Sequence, residues 1–153
     1  MKILIAVDAS QSAEEVIQAV EARVWPETTQ FRIINVVEPV PYYGSELPTA
    51  AATDRMIQAE REAFESRRKH VDSLVQSLKD ALHSPAVSGD VISGEIRQSI
   101  IDESCNWQAD LIFLGTHGRR GVSKLFLGSV SEDVAKRAAC SVDIVKSPTT
   151  KNN

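Results

Sequence analysis

The stretch KILIAVDAS, residues 2–10, sets five consecutive apolar residues ahead of an aspartate and a serine. A strand with one wet face would alternate apolar and polar positions. An unbroken run of Ile, Leu and Val ending at a polar turn is the mark of a strand buried on both faces, as in a parallel sheet. FRIINVV (residues 31–37) and ADLIFLG (residues 109–115) repeat the pattern. Two weaker runs, SGDVIS (88–93) and SVDIVK (141–146), bring the predicted strands to five.

Helical periods fill the intervals between them. Ala13, Val16, Ile17, Val20 and Val24 recur at spacings of three and four. Ser10 or Ser12 is placed to cap this helix, with Glu15 completing a capping box from Ser12, and Trp25-Pro26 ends it. From Thr53 to His83, Ile57, Phe64, Val71 and Leu78 stand seven apart, joined by Val75 and Leu82 on the same face and surrounded by charge. The segment reads as one long helix on the sheet, stopped by Pro85, rather than as a coiled coil. Ile96, Ile100, Ile101 and Cys105 give a third helix, and Val130, Val134 and Ala138 a fourth. Strict alternation of strand and helix predicts right-handed crossovers. The result is a Rossmann-like α/β domain, an open five-stranded parallel sheet with helices on both faces. One domain is expected over residues 1–147, with 148–153 a polar tail. EPVPYYGSELPTA (38–50) reads as a proline-rich loop, either a lid or a plain surface connection.

Bulk properties exclude several function classes. In 153 residues the charged fraction is 25% and the net charge −4, with no basic stripe to neutralise a nucleic-acid backbone or an anionic membrane. No apolar run approaches the roughly 20 residues that span a bilayer, and the N-terminal stretch lacks the pattern of a signal peptide. Cys105 and Cys140 lack CxxC spacing, so they are expected to be reduced packing residues of a cytoplasmic protein.

Chemistry concentrates in two loops at predicted carboxyl ends of strands, where an open α/β sheet binds its ligands. Asp8 closes the first strand. Its carboxylate is suited equally to an adenine amino group or ribose hydroxyl and to capping the following helix. The second loop is GTHGRRGVSKLFLGS (115–129), a G-x2-G-x9-G-S pattern. Its glycines permit positive φ and close approach of main chain to a ligand, and the N–H groups of Ser129, Val130 and Ser131 at a helix start suit a phosphate. Arg119, Arg120 and Lys124 add positive charge. Ser129 with Glu132 also has the spacing of an ordinary capping box. There is no GxGxxG after the first strand and no GxxxxGK[ST], which removes the dinucleotide and P-loop readings.

Taken together, VDAS, INVVEP and ADLIFLGTHGRRGVSKLFLGSVSEDVAKRAACSVDIV resemble the universal stress protein family over essentially the whole chain. G-x2-G-x9-G-S is similar to the motif of that family's ATP-binding branch. The resemblance implies a sheet order 3-2-1-4-5 with ATP between the first and fourth strands. It implies that Asp8 and the main chain of Val36 hold adenine and ribose beside Ala6, and that Gly115, Thr116, His117 and Gly118 surround ribose and phosphates. Gly128, Ser129, Val130 and Ser131 then donate to the phosphate tail, with Mg²⁺ bridging phosphate oxygens. His117 reads as a loop residue beside the phosphates rather than a catalyst, and His70 and His83 as surface residues of the long helix. Many relatives follow the last helix with Cys-Pro and an apolar strand that pairs with its twin, and the resemblance implies a homodimer through residues 141–146 here; this chain has CSVDIVK, with Asp143 inside that strand as the kind of charge that guards an edge against pairing. The implied function is an ATP-dependent regulatory or interaction module of the stress response. A slow ATPase and a nucleotide-free dimerisation scaffold are the alternatives.

Overall fold

The structure, a computed structural model of the chain, describes residues 1–10, 12–39, 49–83, 86–116 and 128–146. Elements alternate along it as β1 (Lys2–Ala6), α1 (Ser12–Glu21), β2 (Gln30–Val37), α2 (Ala50–Leu82), β3 (Val87–Ser93), α3 (Ile96–Asn106), β4 (Leu111–Gly115), α4 (Ser129–Arg137) and β5 (Ser141–Val145). All five strands are parallel, in the order β3-β2-β1-β4-β5. This is the sheet that the apolar runs and the family resemblance predict.

Both faces of the sheet are covered, which is why its central strands do not alternate with polar residues. Ile3, Ile5, Phe31, Ile33 and Phe113 lie under α1 and α2, against Val16, Val20, Val71 and Leu78. Leu4, Ala6, Ile34, Ile112 and Leu114 face the other way, against Ile100 and Ile101 of α3 and Val134 of α4. Each cluster takes side chains from both β1 and β4, so these two central strands are held from both faces of the sheet.

Several expectations are corrected. Helix α1 ends at Glu21, and Val24, periodic in sequence, is 100% exposed. Trp25 takes its place: its indole N–H donates to the Val20 carbonyl at 2.8 Å, and its ring meets Phe31 and Phe113 edge to face. Ser12 is the first helical residue rather than the cap, and the N–H of Ala13 bonds to the carbonyl of Ser10. Cys105 is exposed; Ser104 is buried instead, its hydroxyl donating to the Ile101 carbonyl. Cys140 is half-buried and packs against the α3/α4 cluster.

Helix α2 begins at Ala50, with Thr49 as its cap, and is 33 residues long, about 50 Å at 1.5 Å per residue. Strands of five to eight residues span only about 17–27 Å. The heptad apolar positions therefore part company: Val71, Leu74 and Leu78 are buried on the sheet, while Ile57 and Phe64 are 58% and 38% exposed. Gly89 of β3 sits under the packed half, where an added Cβ would lie 2.6 Å from methyls of both Val71 and Val75. The helix stops at Leu82, with His83 exposed in a left-handed cap; Pro85, proposed as the stop, lies outside the described residues, as does the tail. His70 is half-buried rather than a surface residue, and its Nε2 is buried with no hydrogen-bond partner among the described residues.

Candidate functional site

The strand order reverses between β1 and β4, and the chain leaves these neighbours toward opposite faces, α1 to one side and α4 to the other. The gap at their carboxyl ends is the switch point where an α/β sheet accepts a ligand. Ala6, Val36 and Val130 belong to one apolar cluster with Leu114 on the α3/α4 face of this gap. Gly115 closes β4, and Thr116 follows it, 5% exposed.

Asp8 lies just beyond the end of β1. One carboxylate oxygen, Oδ1, accepts from the Ser10 N–H at 3.1 Å, the Ser10 hydroxyl at 2.6 Å and the Ser12 hydroxyl at 3.4 Å. That Asx-type turn fixes the chain entering α1. The other oxygen, Oδ2, is buried and has no hydrogen-bond partner among the described residues. A buried carboxylate oxygen left without a donor is costly, and it is the kind of orphan that a ligand donor satisfies. Oδ1 thus organises the turn that leads into α1, and Oδ2 is without a partner among the described residues.

Val36 offers main chain to the same gap. Ala6 pairs with Ile34, and the N–H of Val7 donates to the Ile34 carbonyl at 2.9 Å. In a parallel ladder alternate residues address a given neighbour, so the N–H and C=O of Val36 face β1 as those of Ile34 do.

Helix α4 closes the other side. Its cap is Gly128, not Ser129, with φ −60° and ψ 150° and no side-chain cap bond. The first intrahelical bond runs from the Glu132 N–H to the Gly128 carbonyl at 3.0 Å, so Ser129, Val130 and Ser131 present the three N–H groups that precede it. Glu132, expected to complete a capping box, pairs with Lys136 at 2.6 Å, and Asp133 pairs with Arg137 at 2.9 Å. Glu132 in the first turn and Asp133 just after it are thus each matched by a cation one turn on. Gly128 has no need of positive φ. Its N–H donates to the Thr116 carbonyl at 2.9 Å, and a Cβ there would stand 2.6 Å from that same oxygen. Ser131, 1% exposed, donates its hydroxyl to the Gly128 carbonyl at 2.8 Å.

The fold therefore gathers Ala6, Asp8, Val36, Gly115, Thr116, Gly128, Ser129, Val130 and Ser131 around one gap. His117 and Gly118, with Arg119, Arg120 and Lys124, lie outside the described residues. One polar residue beside the gap escaped the sequence reading. Asn35, 1% exposed, donates its amide to the Val7 carbonyl at 2.8 Å and accepts from Arg67 of α2 at 3.2 Å. The signal was an amide inside IINVV, at a position where a doubly buried strand calls for an apolar side chain.

Among the described residues no group of three or more His, Cys, Asp or Glu is arranged to hold a metal ion, and no helix is long and apolar enough to cross a membrane.

Known proteins share this architecture. A universal stress protein of Synechocystis is 34% identical over 151 residues, covering 95% of this chain and 97% of its own. In the solved universal stress protein of Lactobacillus plantarum the same fold returns with a TM-score of 0.70 at 19% identity, covering 95% and 97% of the two chains. A universal stress protein family protein from Arabidopsis thaliana, solved with AMP bound, matches with a TM-score of 0.64 at 18% identity over 100% of this chain and 95% of its own. The model of the universal stress protein family matches residues 1–146, and with the sheet order and this degree of identity the chain belongs to that family.

Proposed function

We propose that this chain is an ATP-binding universal stress protein, a nucleotide-dependent regulatory or interaction module rather than an enzyme of rapid turnover. The observation that carries the reading is Oδ2 of Asp8 at the β1/β4 switch point, buried and without a hydrogen-bond partner among the described residues. It requires a donor, and the amino group of adenine or a ribose hydroxyl supplies one. The main chain of Val36 offers a donor and an acceptor to the base edge, and Ala6 lines the pocket. The N–H groups of Ser129, Val130 and Ser131 give the phosphates a helix start with its positive end exposed. That the AMP-bound Arabidopsis protein has this fold supports adenine as the base.

The residues present fit a nucleotide. Among the described residues no carboxylate cluster is arranged for a metal, and in this reading Mg²⁺ is carried by phosphate oxygens of ATP. In this reading, as the family resemblance implies, Gly115, Thr116, His117 and Gly118 of the G-x2-G-x9-G-S pattern surround the ribose and phosphates. Self-association through β5, the edge strand beyond β4, completes the proposal.

The test is to denature the purified protein and identify by mass spectrometry the small molecule released. ATP or a product of it, near one per chain and much reduced in Asp8→Ala, is expected. A parent protein that carries none, and takes up none when incubated with ATP and Mg²⁺, overturns the proposal.

A further inference from the structure

Asn35 is a buried amide in an otherwise apolar face, packed between β1 and α2. Such a group is stabilising only if its polar atoms are paired, and the chain pairs them asymmetrically. The Arg67 guanidinium donates to Oδ1, which fixes the amide rotamer, because an amide flipped by 180° would set its NH₂ against a cation. With Oδ1 so held, Nδ2 faces the Val7 carbonyl and donates to it at 2.8 Å. Val7 is the residue at which β1 leaves β2: its N–H still bonds to Ile34, while its carbonyl is held by a side chain. The next residue is Asp8.

We propose that Asn35 is a positioning residue for the nucleotide site. Resting on the reading above, it fixes the Val7 carbonyl, and hence the direction in which Asp8 presents Oδ2 beside Val36. Arg67 sets the orientation of that amide from the middle of α2. The relay Arg67 to Asn35 to Val7 to Asp8 ties adenosine recognition to the long helix. Asn35 touches no ligand in this scheme. Its effect falls on how the chain parts from β2 at Val7 and on the aim of Asp8.

Asn35→Asp separates this role from plain packing. The carboxylate has the same shape and still accepts from Arg67, but it no longer donates to Val7. Calorimetric titration of ATP with Mg²⁺ into parent and variant, with thermal unfolding of the unliganded proteins, is the experiment. A ¹H–¹⁵N spectrum reporting the Ser10 amide bonded to Asp8 supplies a readout independent of nucleotide. ATP affinity at least tenfold weaker in the variant, a reduced preference for ATP over GTP and a shifted Ser10 amide are expected. If Asn35→Asp does not fold, Arg67→Met replaces it, with a three- to tenfold loss of affinity expected. A parent that binds ATP and a folded variant that binds it equally well would overturn the relay while leaving the proposed function standing. A parent that binds no adenine nucleotide overturns both.

Discussion

Gly128 and Thr116 are joined so closely that one oxygen serves two constraints: the Thr116 carbonyl accepts from the Gly128 N–H at 2.9 Å and stands 2.6 Å from where a Gly128 Cβ would be. This pins the start of α4 to the end of β4. The glycine is required by steric approach, since φ −60° is open to any residue. Gly128→Ala should therefore cost stability, of order 1–3 kcal/mol as for other overpacked sites, besides tilting the N–H groups of α4. Urea unfolding of the unliganded variant checks this. A midpoint equal to the parent's would show that the contact relaxes freely.

The edge strand gives a second expectation. The N–H of Thr116 donates to the Val145 carbonyl, and Val145 pairs with Gly115, so Ser141, Asp143 and Val145 address β4 while the main chains of Val142 and Ile144 point to the open edge. Asp143, the charge inside that edge strand, turns to Arg23 at 2.5 Å, whose guanidinium lies 4.7 Å from the Phe113 ring centre. If the protein dimerises through β5, Val142→Pro removes an outward N–H and should lower the mass measured by light scattering from dimer to monomer. A dimer that persists in the variant would place the interface elsewhere.

Thiol reactivity follows from burial. Cys105 is exposed, whereas burial pushes the half-buried Cys140 thiol above its ordinary pKa. A raised pKa means less thiolate at a given pH, so Cys140 should alkylate more slowly and gain rate only at higher pH. Peptide mass spectrometry after timed iodoacetamide treatment at pH 7.5 should find Cys105 modified first. The reverse order would contradict the packing of Cys140.

The sheet was legible because burial on both faces leaves a signal that survives without tertiary information: Ile3, Leu4 and Ile5 have no neighbour in sequence that competes with that reading. Helix ends were less legible. Val24 keeps the period, yet a side-chain bond from Trp25 to Val20 ends α1 earlier, and no periodicity encodes that bond. Ile57 and Phe64 continue the heptads of α2 because periodicity marks a helix face without saying where the sheet beneath it stops. At the site, Ser129 looked like the cap because Ser-x-x-Glu is a capping box in isolation. The bond from Gly128 to Thr116 starts the helix one residue sooner, and it joins positions that only the fold brings together. Asn35 was visible as a letter, but its meaning depends on Val7 and Arg67, one strand and one helix away.

Whether Asp8 at the β1/β4 gap holds an adenine nucleotide, as proposed, is decided by calorimetric titration of ATP with Mg²⁺ into the nucleotide-free parent and Asp8→Ala. Oδ1 organises only the local turn, so losing the side chain should cost the fold about 0.5–2 kcal/mol, a cap-sized loss that a domain of this size tolerates. Saturable binding near one ATP per chain is expected in the parent, and at least tenfold weaker binding in folded Asp8→Ala. Equal ATP binding by parent and variant would contradict that role of Asp8.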